Sequence, residues 1–463
     1  MTRPGDRRRQ PGAGSRVDRP RQAALEVLRA VRVDDAYTNL ALPAAIAQHG
    51  LGPRDAGFVT ELAAGTIRRM GTYDAILTVC IDRPLRKVQV AVLDALRLGC
   101  HQLLSMRVPA HAAISTTVDL VRSRNGQGAA GFANAVLRKV AAHDLDGWLD
   151  RVAPDPGEPG PARREALAVR HSHPRWVVDQ LEQAAPDEDL DTLLAADNLP
   201  PRVTLVARPG LVDRAELPGT PTPYSPYGVV LEGGDPAGVP AVAEGRAGVQ
   251  DEGSQLVAHA LASAAVEGRD ELWLDLCAGP GGKAALLAAL AAQRGARLVA
   301  TEPHLHRARL VGRALEALGD RTYGVVAADG TRPPLPAGSV DRVLVDAPCT
   351  GLGALRRRPE ARWRRTPDDL MPLVLLQRKL LDSALDLVRP RGAVLYATCS
   401  PVRAETADVL QAVLGTRKDV ALDDVRPLLT GVPDIDGPVA GTAQLWPHRH
   451  GTDAMFMALL RKG

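Results

Sequence analysis

Apolar residues recur every three to four positions from about residue 21 to 145. Ala24, Leu25, Val27, Leu28 and Val31 make one such face, and Val90, Leu93, Leu96, Leu103 and Leu104 another. That period sets one stripe of a helix against a core, which predicts an all-helical domain over 21–145. The stretch APDPGEPGPARR at 153–164 interrupts it. Proline, glycine and aspartate favour turns, so a linker is expected over 146–164. From 165 to 245 the pattern is mixed, with helices predicted near 174–184 and 187–196 and an extended piece, RVTLVAR, at 202–208. A small α+β module is expected there.

The last region, 246–463, changes rhythm. ELWLDLC (271–277), ARLVATE (296–302), TYGVVAAD (322–329), VDRVLVDAP (340–348) and RGAVLYATC (391–399) are short runs rich in Val and Leu, with helical segments between them at 283–292, 305–318 and 367–388. Strands that alternate with helices at this spacing form a mostly parallel sheet covered on both faces. Ligands bind such sheets outside the carboxyl ends of the strands, so the residues that end each run become the candidates.

Composition changes this picture little. Of 463 residues, 45% are hydrophobic and 24% charged, which excludes a disordered or fibrous chain. No run reaches the ~18 apolar residues of a membrane span and no signal peptide precedes the first helix, so a cytoplasmic protein without membrane association is expected. The five cysteines, Cys80, Cys100, Cys277, Cys349 and Cys399, are odd in number and lack paired metal-ligand spacing. Neither disulfides nor a metal is expected. The net charge of +3 is mild, yet residues 1–22 carry seven arginines against two aspartates. Residues 1–20 therefore read as a disordered basic arm, either attracted to phosphate or simply solvated.

The strand ends carry the chemistry. LDLCAGPGGKAALLAAL (274–290) places Gly279, Gly281 and Gly282 at the start of a helix, where unpaired amides and the positive dipole end favour an anion. A side chain at Gly281 is expected to fill space that a ligand's carboxylate needs. Lys283 follows too closely for a phosphate loop, so a nucleotide-like ligand with a carboxylate fits better than a polyphosphate. Glu302 ends the second strand, where an acid can accept from ribose hydroxyls, and Asp329 ends the third. Either could instead be a cap or a solvated turn residue; together they favour a bound adenosine. DAPCTGLG (346–353) and ATCSP (397–401) each bring a cysteine to the mouth of the same cleft. A thiolate is a strong nucleophile, and two of them beside Asp346 suggest covalent catalysis followed by elimination.

QDEGSQLVA (250–258), CAGPGGK (277–283), DAPCTGLG and YATCS (396–400), in this order, resemble the bacterial RNA cytosine-5 methyltransferases that use S-adenosyl-L-methionine, specifically the 16S rRNA enzymes of the RsmB (Sun/Fmu) type. The segments RQAALEVLRAV, DRPLRKVQVAVLDALRLGCHQLL and GFANAVLRKV resemble the helical antitermination factor NusB. The resemblance implies a multidomain chain: an all-α NusB-like RNA-binding domain, the α+β module, and a Rossmann-like class I methyltransferase domain. It also implies that Cys277, Ala278, Gly279, Pro280, Gly281, Gly282 and Lys283 line the methionine end of the cofactor, Glu302 the ribose and Asp329 the adenine. Asp346 would contact the target base as well as bordering the cofactor. Cys399 would be the nucleophile and Cys349 the residue that assists release. Gly279 stands where alanine is usual, Ala284 where threonine is usual, and Glu302 where aspartate is frequent. The implied partner is RNA, 16S rRNA ahead of tRNA, and a monomer is expected. The Arg-rich segment RRRPEARWRR (356–365) reads equally well as a phosphate-binding loop with a stacking Trp363 and as a solvated charge run.

Overall fold

The computed structural model describes residues 18–463, which divide into a unit closing at Ser172 and a second unit, His173–Gly463. Residues 1–17 of the expected basic arm lie outside the described residues. Its last three are ordered: Asp18 accepts from the Arg21 amide and caps the helix Arg19–Val33, with Pro20 in the first turn.

The first unit is helical, as its period predicts. Arg19–Val33, Pro53–Arg68, Met70–Cys80 and Val90–Leu104 turn Ala24, Leu28, Leu62, Ile76, Leu96 and Leu98 into one core. The span Ala110–Val140 is two helices that meet at Gly126, whose φ of 85° and ψ of 176° break the helical path. Residues 146–164 hold more structure than a linker: helix Leu145–Val152 and the start of Pro161–Arg170, with only the Pro/Gly run between them irregular. Trp148, buried and donating to the Val140 carbonyl (2.8 Å), ties this segment back to the helical unit. None of the described helices is long and apolar enough to cross a membrane.

The second unit begins with helices Arg175–Ala184 and Leu190–Ala196. Among the described residues its strands form two sheets. The smaller contains β1 (Thr204–Ala207), β2 (Thr220–Pro221), β3 (Gly228–Val230) and β4 (Ala247–Val249), antiparallel in the order β2-β3-β1-β4. The larger contains β5 (Leu272–Asp275), β6 (Arg297–Thr301), β7 (Thr322–Val326), β8 (Val340–Asp346), β9 (Val388–Thr398), β10 (Val420–Asp423), β11 (Ala443–Gln444) and β12 (Phe456–Lys462). Its order is β10-β12-β9-β8-β5-β6-β7, with β11 paired to β12. The strands β5 to β9 are parallel, and β12 enters antiparallel between β9 and β10.

Alternate side chains of each central strand serve opposite faces, as a period of two requires. Leu344 and Leu395 join the core under helices Glu252–Ser263 and Gly282–Gln293, whereas Val343, Val345 and Tyr396 join the core under Leu370–Leu387 and Ala407–Thr416. Sequence order reverses beside β5, so the carboxyl ends of β5, β6, β8 and β9 open onto one crevice.

Candidate active site

The crevice is floored by the turn that follows β5. Gly281, at φ 116°, ends the turn and precedes the helix Gly282–Gln293, a conformation that costs an L side chain strain. The three glycines have different neighbours. A Cβ on Gly279 would sit 2.1 Å from Glu302 Oε2 and 2.8 Å from Arg307 Nη2. A Cβ on Gly281 would sit 2.8 Å from Ala314 Cβ and 3.0 Å from Val311 Cα, so the space there belongs to the helix Leu305–Leu315. This corrects the expectation that a Gly281 side chain would intrude on a ligand. Gly282 is exposed and has only Gln250 Cδ, at 3.8 Å, near its added Cβ.

Glu302, just beyond β6, is buried, with Oε1 accepting from the His304 amide at 3.1 Å. Arg307 lies 3.4 Å from Glu302 Oε2 and donates to the Gly279 carbonyl at 2.8 Å, joining the acid to the glycine turn. Asp329 stands apart: β7 ends at Val326, and the exposed Asp329 carboxylate accepts from the Thr331 amide and hydroxyl, both at 2.9 Å. Those two bonds hold its pKa below the ordinary carboxylate value.

Asp346, Lys283, Cys349 and Cys399 are brought together. Strands β8 and β9 are parallel neighbours with Asp346 opposite Ala397, so the loops that leave them run side by side. The sulfurs of Cys349 and Cys399 are 3.5 Å apart. Lys283 Nζ donates to Asp346 Oδ2 at 2.9 Å, and this carboxylate keeps the ammonium charged against the cost of its burial. The two thiols ionise unequally. Cys399 is lowered, foremost by its contact with Cys349 and further by the charges of Arg358 and Lys283, whereas contact with Cys399 and burial push Cys349 well up. Burial and three surrounding carboxylates raise Cys277 as well, which leaves it a poor thiolate.

Two residues that the sequence reading did not single out border the turn. Asp275 ends β5, is 1% exposed, and has no hydrogen-bond partner at Oδ2; burial, then the charge of Asp346, pushes it up to about 7. Gln250 is buried with neither amide atom bonded. Asp275 had a legible signal, since it lies in the LDLC run at a strand end, whereas Gln250 had only its place in QDEGSQLVA.

Three arginines of the Arg-rich segment turn inward, so it is not simply a solvated run, while Arg358 stays exposed. Arg356 donates to the Gly451 carbonyl at 2.6 Å, and Arg357 bridges Asp251 and Asp453. Arg362, fully buried, donates to Asn198 Oδ1 at 2.9 Å and the Asp197 carbonyl at 3.2 Å.

Comparison with known proteins adds a family context. Residues 264–461 match the family model for the 16S rRNA methyltransferase RsmB/F, and residues 18–142 match that of the NusB family. A Mycobacterium tuberculosis (strain CDC 1551 / Oshkosh) protein described as a methyltransferase is 50% identical, covering 96% of this chain and 97% of its own. The ribosomal RNA small subunit methyltransferase B of Pseudomonas syringae pv. tomato is 32% identical, covering 96% and 97%. The crystal structure of PH0851 superposes at a TM-score of 0.77 with 23% identity, over 96% of this chain and 98% of that one, a likeness of fold.

Proposed function

The chain belongs to the 16S rRNA methyltransferase RsmB/F family, and from that premise we propose that it methylates carbon 5 of an unpaired or flipped cytosine in 16S rRNA through a bond between Cys399 and carbon 6. Membership makes it an S-adenosylmethionine-dependent rRNA methyltransferase; the base, the atom and the residue roles are what the proposal adds. The observation that carries it is the approach of two thiols to 3.5 Å beside the Asp346–Lys283 pair.

The residues around the glycine turn fit the cofactor. Gly282 is exposed at a helix start, where amide N–H groups favour a carboxylate. The unpartnered Asp275 Oδ2 and the Gln250 amide are available to its amino-acid end. Glu302 is assigned to the ribose, Asp329 to the adenine amine, and Cys277–Lys283 to the methionine end. Bound there, S-adenosylmethionine supplies an electrophilic sulfonium methyl group.

Carbon 5 of cytosine is a weak nucleophile. Cys399, the thiol held lower, adds its sulfur to carbon 6 and drives electron density onto carbon 5. Asp346, sharing the Lys283 proton, supports the ring at nitrogen 3. After methyl transfer a base removes the proton from carbon 5, the carbon–sulfur bond breaks, and aromaticity returns, with Cys349 assisting. A cytosine inside a helix cannot bring carbon 6 to this thiol, so the target is a loop or an extruded nucleotide. The helical unit is assigned to holding the rRNA.

The thiols are expected to fail in opposite ways. With labelled RNA and cofactor, Cys399→Ala gives no methylation, while Cys349→Ala attacks and methylates but stalls at elimination, leaving protein bonded to RNA on a denaturing gel. A shifted band with Cys399→Ala alone would reverse the roles, and methylation that survives both substitutions refutes thiol chemistry.

A further inference from the structure

Glu405 lies in the short 3-10 turn Arg403–Glu405 after β9 and is fully buried. Oε1 accepts from the Thr350 amide at 2.8 Å and from Gln377 Nε2 at 3.0 Å. Oε2 accepts from the Ser400 hydroxyl at 2.6 Å and from the Thr350 hydroxyl. Gln377 also donates to the Pro348 carbonyl at 2.9 Å, and the Tyr396 hydroxyl donates to the Glu405 carbonyl at 2.7 Å. Every one of these donors is neutral. A carboxylate stripped of water is tolerated only when its lone pairs are filled, and four donors fill them here. Their placement is specific: Thr350 follows Cys349 and Ser400 follows Cys399. The same carboxylate thus grips the residue next to each thiol.

We propose that Glu405 is the positioning residue that fixes Cys349 against Cys399, clamping the loop after β8 to the loop after β9. This rests on the assignment of both thiols to the chemistry. The clamp also separates the thiols electrostatically. Cys349 faces Cys399, Glu405 and Asp346, and Cys399 faces Cys349, Asp346, Arg358 and Lys283. The Glu405 charge therefore disfavours a thiolate at Cys349, leaving its S–H available to Cys399. An amide at position 405 removes that charge and turns one oxygen, with its two contacts, from acceptor into donor, so that the Ser400 and Thr350 hydroxyls must turn round to accept or the Thr350 amide and Gln377 face a donor.

The test uses the full-length chain with Glu405→Gln and Ser400→Ala. Iodoacetamide alkylation is followed against pH, with Cys349 and Cys399 peptides quantified separately by mass spectrometry, beside kcat and S-adenosylmethionine affinity. In the unaltered protein Cys399 should alkylate at lower pH than Cys349. Glu405→Gln should bring the two profiles together and lower kcat by about 100-fold, the effect of a misplacement near 1 Å, with cofactor affinity unchanged. Ser400→Ala, which removes one donor, should move both readouts the same way by less, and it decides the matter if Glu405→Gln does not fold. Profiles that stay apart in a folded variant overturn the inference, even if kcat falls. Activity surviving Cys399→Ala and Cys349→Ala would instead overturn the thiol assignment, whatever Glu405 does to alkylation.

Discussion

Replacing Gly281 and Gly282 one at a time should separate the turn's service to the fold from its service to the cofactor. An alanine at 281 adopts φ 116°, which costs about 1–2 kcal/mol. Its methyl also meets Ala314 Cβ at 2.8 Å and the Val311 backbone at 3.0 Å, an overpacking of about 1–3 kcal/mol. The sum, about 2–5 kcal/mol, is a large part of the ~5–15 kcal/mol that holds a domain folded. At about 2–4 °C per kcal/mol for a unit of this size, Gly281→Ala should melt roughly 5–20 °C lower without ligand. Gly282→Ala has the opposite profile. Its methyl meets nothing closer than 3.8 Å, and alanine is the better helix former by up to ~1 kcal/mol, so the melting temperature should hold or rise. The methyl does enter the open space beside the helix start, and S-adenosylmethionine affinity should fall at least about tenfold, or 1.4 kcal/mol. Scanning calorimetry of the ligand-free proteins and isothermal titration read the two quantities. Unaltered melting of Gly281→Ala would refute the packing argument, and unaltered affinity of Gly282→Ala would remove the cofactor from the helix's first turn.

Stability should carry the mark of Asp275. Burial holds its folded pKa near 7, above its ordinary 3.8, so the stability it contributes is complete below about pH 4 and is lost as pH rises through 7. Asp275→Asn should flatten the fall in melting temperature between pH 4 and 8, and an unchanged slope contradicts the burial argument. The division at Ser172 predicts that His173–Gly463 expressed alone melts cooperatively and binds cofactor with full affinity but binds rRNA weakly. Undiminished RNA affinity in that fragment would show that the helical unit does not hold the substrate.

How much of this was legible follows from what each signal depends on. The central strands β5, β6, β8 and β9 are buried on both faces and read as continuous Val/Leu runs, so the parallel core could be placed from the pattern, with the more exposed β7 at its edge. No strand is legible beyond 399, yet β12 inserts antiparallel between β9 and the edge strand β10, a pairing that only tertiary structure decides. Helix Leu145–Val152 was hidden by the Pro/Gly run that follows it. Cys349, Cys399 and Asp346 were recoverable because parallel strands deliver their ends to one crevice. Glu405 was not, since nothing local distinguishes a glutamate that closes a loop from one that faces water. The separate tasks of Gly279, Gly281 and Gly282 were likewise invisible, because they depend on Glu302, Arg307 and Ala314 arriving from elsewhere in the chain.

The inward turn of Arg356, Arg357 and Arg362 bears on how mutational scans of this protein should be interpreted. Breaking a buried charged contact costs about 3–5 kcal/mol, because the abandoned partner keeps its charge without its counterpart. Neutralising Arg357 strands Asp251 and Asp453, and Asp251 caps the helix Glu252–Ser263. Alanine at Arg357 should lower activity and weaken RNA retention together, the phenotype ordinarily credited to lost phosphate contacts. What had failed would be a rivet of the scaffold, and a melting curve recorded beside each binding curve tells the two apart.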